Sequence, residues 1–265
     1  MREIKVGTAR VPYRVMGQGR PLVLVHGGNP GSKSWDGVAG AFADTSTVVL
    51  PDLSGSDAAR DDGGELTIEL LAEQLAAVID DLGQGPADVA GHSMGALVSA
   101  ALAAVRPDLV RGLVLVAGLA GPGDEYFRNA LTLWRDLAGD PAAFARYTML
   151  IAFSSEHLNS IGRAAVEELA AAYRANADRL RQIDLALRMD VRGLLPRVQA
   201  PTLVIGCARD ALVPVENTRE LAAAIPGASY EELDSGHIAT AERPEELVAL
   251  VRDFIGGKPG MSALG

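Results

Sequence analysis

Gly91-His92-Ser93-Met94-Gly95 decides the reading of this chain. The pentapeptide matches G-x-S-x-G, and its flanks give the match its meaning. Before it runs Pro86-Ala87-Asp88-Val89-Ala90, a short segment bounded by Gly and Pro on its N-terminal side. After it, Ala96 to Val105 is helix-forming sequence with no breaker before Pro107. Strand, sharp turn and helix form the setting in which such a serine sits on a strained elbow, its hydroxyl clear of the sheet's C-terminal edge. Gly91 and Gly95 lack the Cβ atoms that would hold strand and helix apart. Ser93 is therefore the candidate nucleophile.

Around this segment the chain alternates strands and helices. Continuous apolar, β-branched runs at residues 21–25, 47–50, 111–116 and 201–206 read as strands buried on both faces of a parallel sheet. Residues 4–6 and 11–15 read as two strands broken at Gly7-Thr8, and residues 228–233 as a late strand. Residues 34–42 read as a short helix with Ser34 at its N-cap. Residues 66–82 carry Ile68, Leu71, Leu75, Val78, Ile79 and Leu82 at helical spacing and end at Gly83. Residues 215–224 and 244–255 are further helices.

The alternation stops in the middle. Residues 121–196 contain no strand pattern, only helical stretches near 125–137, 141–153, 161–175 and 177–189. The expected organisation is a core of residues 1–120 and 197–256, a helical cap over 121–196, and a flexible tail over 257–265.

A serine hydroxyl needs a base to take its proton. The chain has 4 histidines. His92 lies inside the elbow and points away from its neighbour's hydroxyl. His26 ends a strand before a glycine-rich loop and reads as a hydrogen-bonded anchor. His157 falls in the helical stretch. His237 follows the last strand in Asp234-Ser235-Gly236-His237, where a base approaching a serine at the sheet edge must lie. The base in turn needs a carboxylate to fix its tautomer. Asp210, after the 201–206 strand, is favoured over Asp234, which shares the histidine's own loop. The order Ser93, Asp210, His237 is that of the fold in which this elbow occurs. For the oxyanion, the Met94 amide is one expected donor, and Gly28 is the other, with Asn29 second.

Composition narrows the class. The chain has 265 residues, 48% of them apolar, enough for a substantial core. A net charge of −10 argues against nucleic acid and anionic membranes as partners. The single cysteine, Cys207, allows no intrachain disulfide and reads as an inert core thiol. No apolar run approaches the roughly 20 residues of a membrane span, and the N-terminus lacks a signal-like apolar stretch. A cytoplasmic enzyme is expected, with a small-molecule substrate and no metal or cofactor. A homodimer is compatible with the sequence.

Together these residues resemble the α/β-hydrolase superfamily. The resemblance runs from the strand at Pro21 to the helix at Pro244. It rests on His26-Gly27-Gly28-Asn29-Pro30-Gly31, Trp35, the elbow, Asp210-Ala211-Leu212-Val213-Pro214 and Gly236-His237. It implies an α/β fold with a mostly parallel, eight-stranded sheet, helices on both faces and an inserted helical cap like those of lactonase, esterase and C–C hydrolase branches. A serine at the elbow argues against the haloalkane dehalogenase and epoxide hydrolase branches. Where relatives carry D-x-x-G-x-G-x-S this chain has Asp52-Leu53-Ser54-Gly55-Ser56-Asp57. C–C hydrolases usually carry tryptophan after the base; Ile238 stands there.

The expectation is a serine hydrolase of an ester, lactone or thioester with a small hydrophobic substrate, working through an acyl-enzyme on Ser93. The alternatives are an acyl-processing thioesterase, cyclase or acyltransferase, a C–C bond hydrolase, and a non-catalytic receptor for a small ligand. Trp134, Tyr147, Phe153 and Ile238 are the expected substrate contacts, with Phe127, Leu131, Phe144 and Met149 as further candidate walls.

Overall fold

The computed structural model describes residues 1–28, 30–122 and 124–257. Asn29 and residues 258–265 of the expected tail lie outside the described residues.

Eight strands form one sheet: β1 (Arg2–Val6), β2 (Ala9–Met16), β3 (Arg20–Val25), β4 (Ser46–Pro51), β5 (Ala87–His92), β6 (Val110–Val116), β7 (Thr202–Cys207) and β8 (Ser229–Leu233). Their spatial order is β1-β2-β4-β3-β5-β6-β7-β8. β2 pairs antiparallel with β1 and β4, and every other pairing is parallel. This is the expected mostly parallel α/β sheet.

The continuous apolar strands are explained by cover on both faces. Alternate residues of a strand point to opposite sides. In β3, Val23 and Val25 join one core cluster while Leu22 and Leu24 join the other. β4 divides in the same way, with Val49 on one side and Val48 and Leu50 on the other.

The helices between strands supply the cover. They are α1 (Asp36–Ala39), α2 (Ile68–Leu82) and α3 (Met94–Val105), then α8 (Val215–Ala223), α9 (Ala239–Glu242) and α10 (Pro244–Ile255). α2 lays Leu71, Leu75 and Ile79 against the face that α3 also covers. Trp35, Phe42, Leu247 and Val251 fill the opposite face. Local chemistry sets the ends of α2: the Thr67 hydroxyl accepts the Leu70 amide at 3.1 Å, and Gly83 closes the helix at φ 67.

Residues 34–42 differ from expectation. Gly31–Trp35 and Gly40–Phe42 are tight 3-10 turns flanking the one-turn α1. Ser34 lies inside the first turn and donates to the Gly31 carbonyl at 2.8 Å, so it caps nothing.

Between β6 and β7 the described residues form α4 (Glu125–Asp136), α5 (Pro141–Ala152), α6 (Ser155–Ala172) and α7 (Ala177–Ala186). α6 starts earlier than its periodicity suggests, because the Ser154 hydroxyl caps it by accepting the His157 amide at 3.2 Å. Gly162 breaks it at φ 77, ψ 166. No helix among the described residues is long and apolar enough to cross a membrane.

Candidate active site

Ser93 stands between β5 and α3 with φ 55 and ψ −123. That is a left-handed conformation for a residue carrying a Cβ, and it costs on the order of 1–3 kcal/mol. The surroundings hold it there. The Ser93 amide donates to the Val116 carbonyl of β6 at 2.8 Å. A Cβ on Gly95 would run into the His26 and Val25 carbonyls, and one on Gly91 into the Gly95 carbonyl. Only glycine at both positions lets α3 start this close to β3 and β5.

Asp210 follows β7 and His237 follows β8, so parallel pairing brings both to the sheet edge where Ser93 stands. His237 Nε2 lies 2.9 Å from Ser93 Oγ, and its Nδ1 lies 2.6 Å from Asp210 Oδ2. The Asp210 side chain is 1% exposed and that of His237 5%. The other Asp210 oxygen accepts the Leu212 and Val213 amides, each at 2.8 Å, which fixes the carboxylate's direction. Asp234 turns outward instead and pairs with Arg209 at 2.7 Å.

The other histidines have separate partners. The Leu53 amide donates to His26 Nε2 at 3.0 Å, and His26 Nδ1 lies 2.7 Å from the Gly27 carbonyl. His26 thus ties the glycine loop to the loop after β4, and burial lowers its pKa. Gln74 holds the same loop through the Ser54 amide at 2.9 Å, so the residues that depart from the common pattern at 52–57 are still pinned. His92 Nε2 donates to the His237 carbonyl at 2.8 Å. Burial first, and the neighbouring His237 second, push His92 down to about 3, so this ring is neutral. His157 stacks on Phe153 with ring centroids 5.4 Å apart.

Ser93 and His237 open into a cavity of about 280 Å³. Gly27, Gly28 and Met94 form its floor beside the serine. Met94 is the first residue of α3, so its amide has no acceptor within the helix. α4 contributes Phe127, Leu131 and Trp134, and α5 contributes Thr148, Ile151 and Ala152. Ile238 closes one side.

Two expected contacts lie elsewhere. Tyr147 faces an outer groove with Tyr126 and Leu133, its hydroxyl on the Ala130 carbonyl at 3.1 Å. Phe153 is not a lining residue of the cavity; it packs with Met149, Ala152 and Ala170 behind it. Phe144 is fully buried beneath Trp134, with ring centroids 5.7 Å apart. The sequence reading missed Tyr173 and the α7 residues Arg179, Gln182, Ile183 and Ala186, which line the cavity. Their spacing of i, i+3, i+4, i+7 is one helix face, and that stripe was the available signal.

Cys207 is buried, and desolvation pushes its thiol up to about 12. Among the described residues no cluster of three or more His, Cys, Asp and Glu is placed to hold a metal ion.

Comparison with known proteins establishes the family of the fold. Residues 22–250 match the Alpha/beta hydrolase family. The chain belongs to that family. It is 36% identical over 260 residues to the pyrrolizixenacetamide deacetylase of Xenorhabdus hominickii, covering 96% of this chain and 98% of the relative. A thermophilic esterase from Thermogutta terrifontis superposes with TM-score 0.82 at 26% identity, covering 97% of this chain and 98% of that one. MGS-M2, an alpha/beta hydrolase enzyme from a deep-sea metagenome library, shares the fold with TM-score 0.89 at 21% identity, covering 99% of this chain and 100% of that one. The protein is thus an enzyme of hydrolase type.

Proposed function

We propose that the protein is a serine hydrolase that cleaves an ester, lactone or thioester through an acyl-enzyme on Ser93. The observation that carries this reading is the hydrogen-bonded line Asp210–His237–Ser93, at 2.6 and 2.9 Å, opening into a largely apolar cavity. His237 Nε2 takes the Ser93 proton as Oγ attacks the substrate carbonyl carbon. Asp210, held by two amides, keeps the Nδ1 proton in place and balances the imidazolium. The amides of Gly28 and Met94 receive the oxyanion, aided by the positive end of α3. His237 then returns the proton to the leaving oxygen or sulfur. Water, deprotonated by the same imidazole, releases the acid and restores Ser93. The helices between β6 and β7 act as the cap that selects the acyl group.

A second reading, amide cleavage, is favoured by one observation: the Xenorhabdus relative is named for deacetylating an acetamide. The same machinery serves it, with the proton delivered to a leaving nitrogen.

The test is fluorophosphonate labelling together with turnover of a short-chain 4-nitrophenyl ester. The expected result is label on Ser93 by mass spectrometry, and loss of both label and turnover in a folded Ser93→Ala. Full activity in that variant overturns the reading.

A further inference from the structure

Resting on the reading of Ser93 as the nucleophile, we infer that the cavity contains a carboxylate subsite anchored by Arg179, and that the preferred substrate carries a carboxylate beyond its scissile carbonyl. The protein is acidic, with net charge −10. Its cavity has the opposite character: the charged side chains on its wall are Arg179 and Lys33, and no Asp or Glu is among the described lining residues.

Arg179 is not a surface arginine. It is 4% exposed and stands on the inward stripe of α7, beside Gln182 and Ile183. Its guanidinium carbon lies 5.3 Å from the centre of the Tyr173 ring, a cation–π contact that seats the group without consuming an N–H. Nη1 has no hydrogen-bond partner among the described residues. Desolvation lowers the Arg179 pKa, with Tyr173 and the exposed Asp57 acting the other way. The group nonetheless stays cationic, since arginine does not lose its proton in proteins.

A buried cation with a free donor is costly unless an acceptor arrives. A planar guanidinium matches a carboxylate with two parallel hydrogen bonds. Lys33, exposed and on the same cavity wall, adds positive potential toward an incoming anion. The arrangement fits a half-ester of a dicarboxylic acid, its ester carbonyl at Ser93 and its free carboxylate on Arg179.

Two measurements test this. The first compares kcat/KM for the mono-4-nitrophenyl esters of succinate, glutarate and adipate with neutral 4-nitrophenyl esters of equal chain length. At least one half-ester is expected to exceed its neutral partner tenfold or more. Arg179→Met should remove that preference, chiefly through KM, bringing each half-ester down to the kcat/KM of its neutral partner. Arg179→Lys should restore part of it. The second measures binding of monomethyl glutarate and monomethyl adipate to Ser93→Ala by calorimetry, with and without Arg179→Met. This arm needs no turnover, so a failure of the catalytic reading shows only in the first. Equal rates for acidic and neutral esters, with no Arg179-dependent binding, overturn the subsite. So does an Arg179→Met variant that melts lower and loses both ester classes alike, which marks a structural arginine.

Discussion

The carboxylate of Glu242 grips Ser154 at two atoms: Oε1 accepts the Ser154 amide at 2.8 Å and Oε2 the Ser154 hydroxyl at 2.6 Å. The same Oε2 accepts the amide of Gly236, one residue before His237, at 3.0 Å. Ser154 is the N-cap of α6, so one buried carboxylate joins the His237 loop to the junction of α5 and α6. The Ile238 amide adds a second stitch to the Ala152 carbonyl at 3.2 Å. Placement of the proposed base is thereby coupled to placement of the helices over the cavity.

Removing that carboxylate should be felt in both places. Glu242→Ala leaves two buried amides without acceptors, each worth about 1–3 kcal/mol. The expected outcome is a loss of roughly 2–6 kcal/mol in urea unfolding, with a kcat that falls more than KM rises. Ser154→Ala keeps the amide contacts and should cost about 1 kcal/mol through the lost cap. If Glu242→Ala matches the parent in both stability and kcat, the coupling is absent.

The two candidate carboxylates make opposite predictions. Asp210→Asn keeps the shape but no longer holds the His237 proton on Nδ1, and kcat should drop by about 10⁴-fold, the size of this effect in a serine protease triad. Asp234 is exposed and salt-bridged to Arg209, so Asp234→Asn should change kcat less than twofold and stability by no more than about 1 kcal/mol. Ester turnover by the two purified variants decides between them.

Glycines in the site differ in what they permit. A methyl group at Gly95 meets the backbone carbonyls of Val25 and His26, which cannot move without opening the sheet edge. A methyl group at Gly28 finds only Gln182 Oε1, at 3.6 Å. Gly95→Ala should therefore lose at least about 3 kcal/mol, at the upper end of overpacking costs, and express poorly. Gly28→Ala should fold with a melting temperature close to the parent. Equal melting temperatures for both would show that the close crossing at Gly95 is not needed.

What the sequence revealed follows from which constraints are local. Ser93 was legible because a strained turn needs particular glycines at particular offsets. His237 and Asp210 were legible because polar residues just after buried parallel strands must emerge at the same edge. Tyr147 and Phe153 were misplaced because the rotation of a helix about its axis depends on tertiary packing. α5 turns Thr148 and Ile151 to the cavity and Tyr147 to the outside. Arg179 carries no local mark of a cavity residue, because an arginine on an amphipathic helix ordinarily faces solvent. The start of α6 is set by the Ser154 hydroxyl accepting the His157 amide, a polar contact that apolar periodicity does not report.

His92 supplies a prediction about pH. Its neutral ring donates to the His237 carbonyl at 2.8 Å, and burial holds its pKa down to about 3 against an ordinary 6.5. In the unfolded chain the ring takes up a proton as the pH falls through about 6.5. In the folded protein it does not do so until about 3. Between those limits the unfolded state binds more protons, so stability rises with pH across the window. The contribution is complete above about 6.5 and drains away as the pH falls toward 3, at up to about 1.4 kcal/mol per pH unit. His26, also lowered by burial, acts in the same direction. Asparagine at 92 can donate an amide N–H to the same carbonyl and does not titrate. Urea unfolding of the parent and of His92→Asn, from about pH 7 to about pH 4.5, should therefore give a shallower acid loss in the variant, by about one such slope. Parallel curves would mean that the folded protein does not hold His92 neutral.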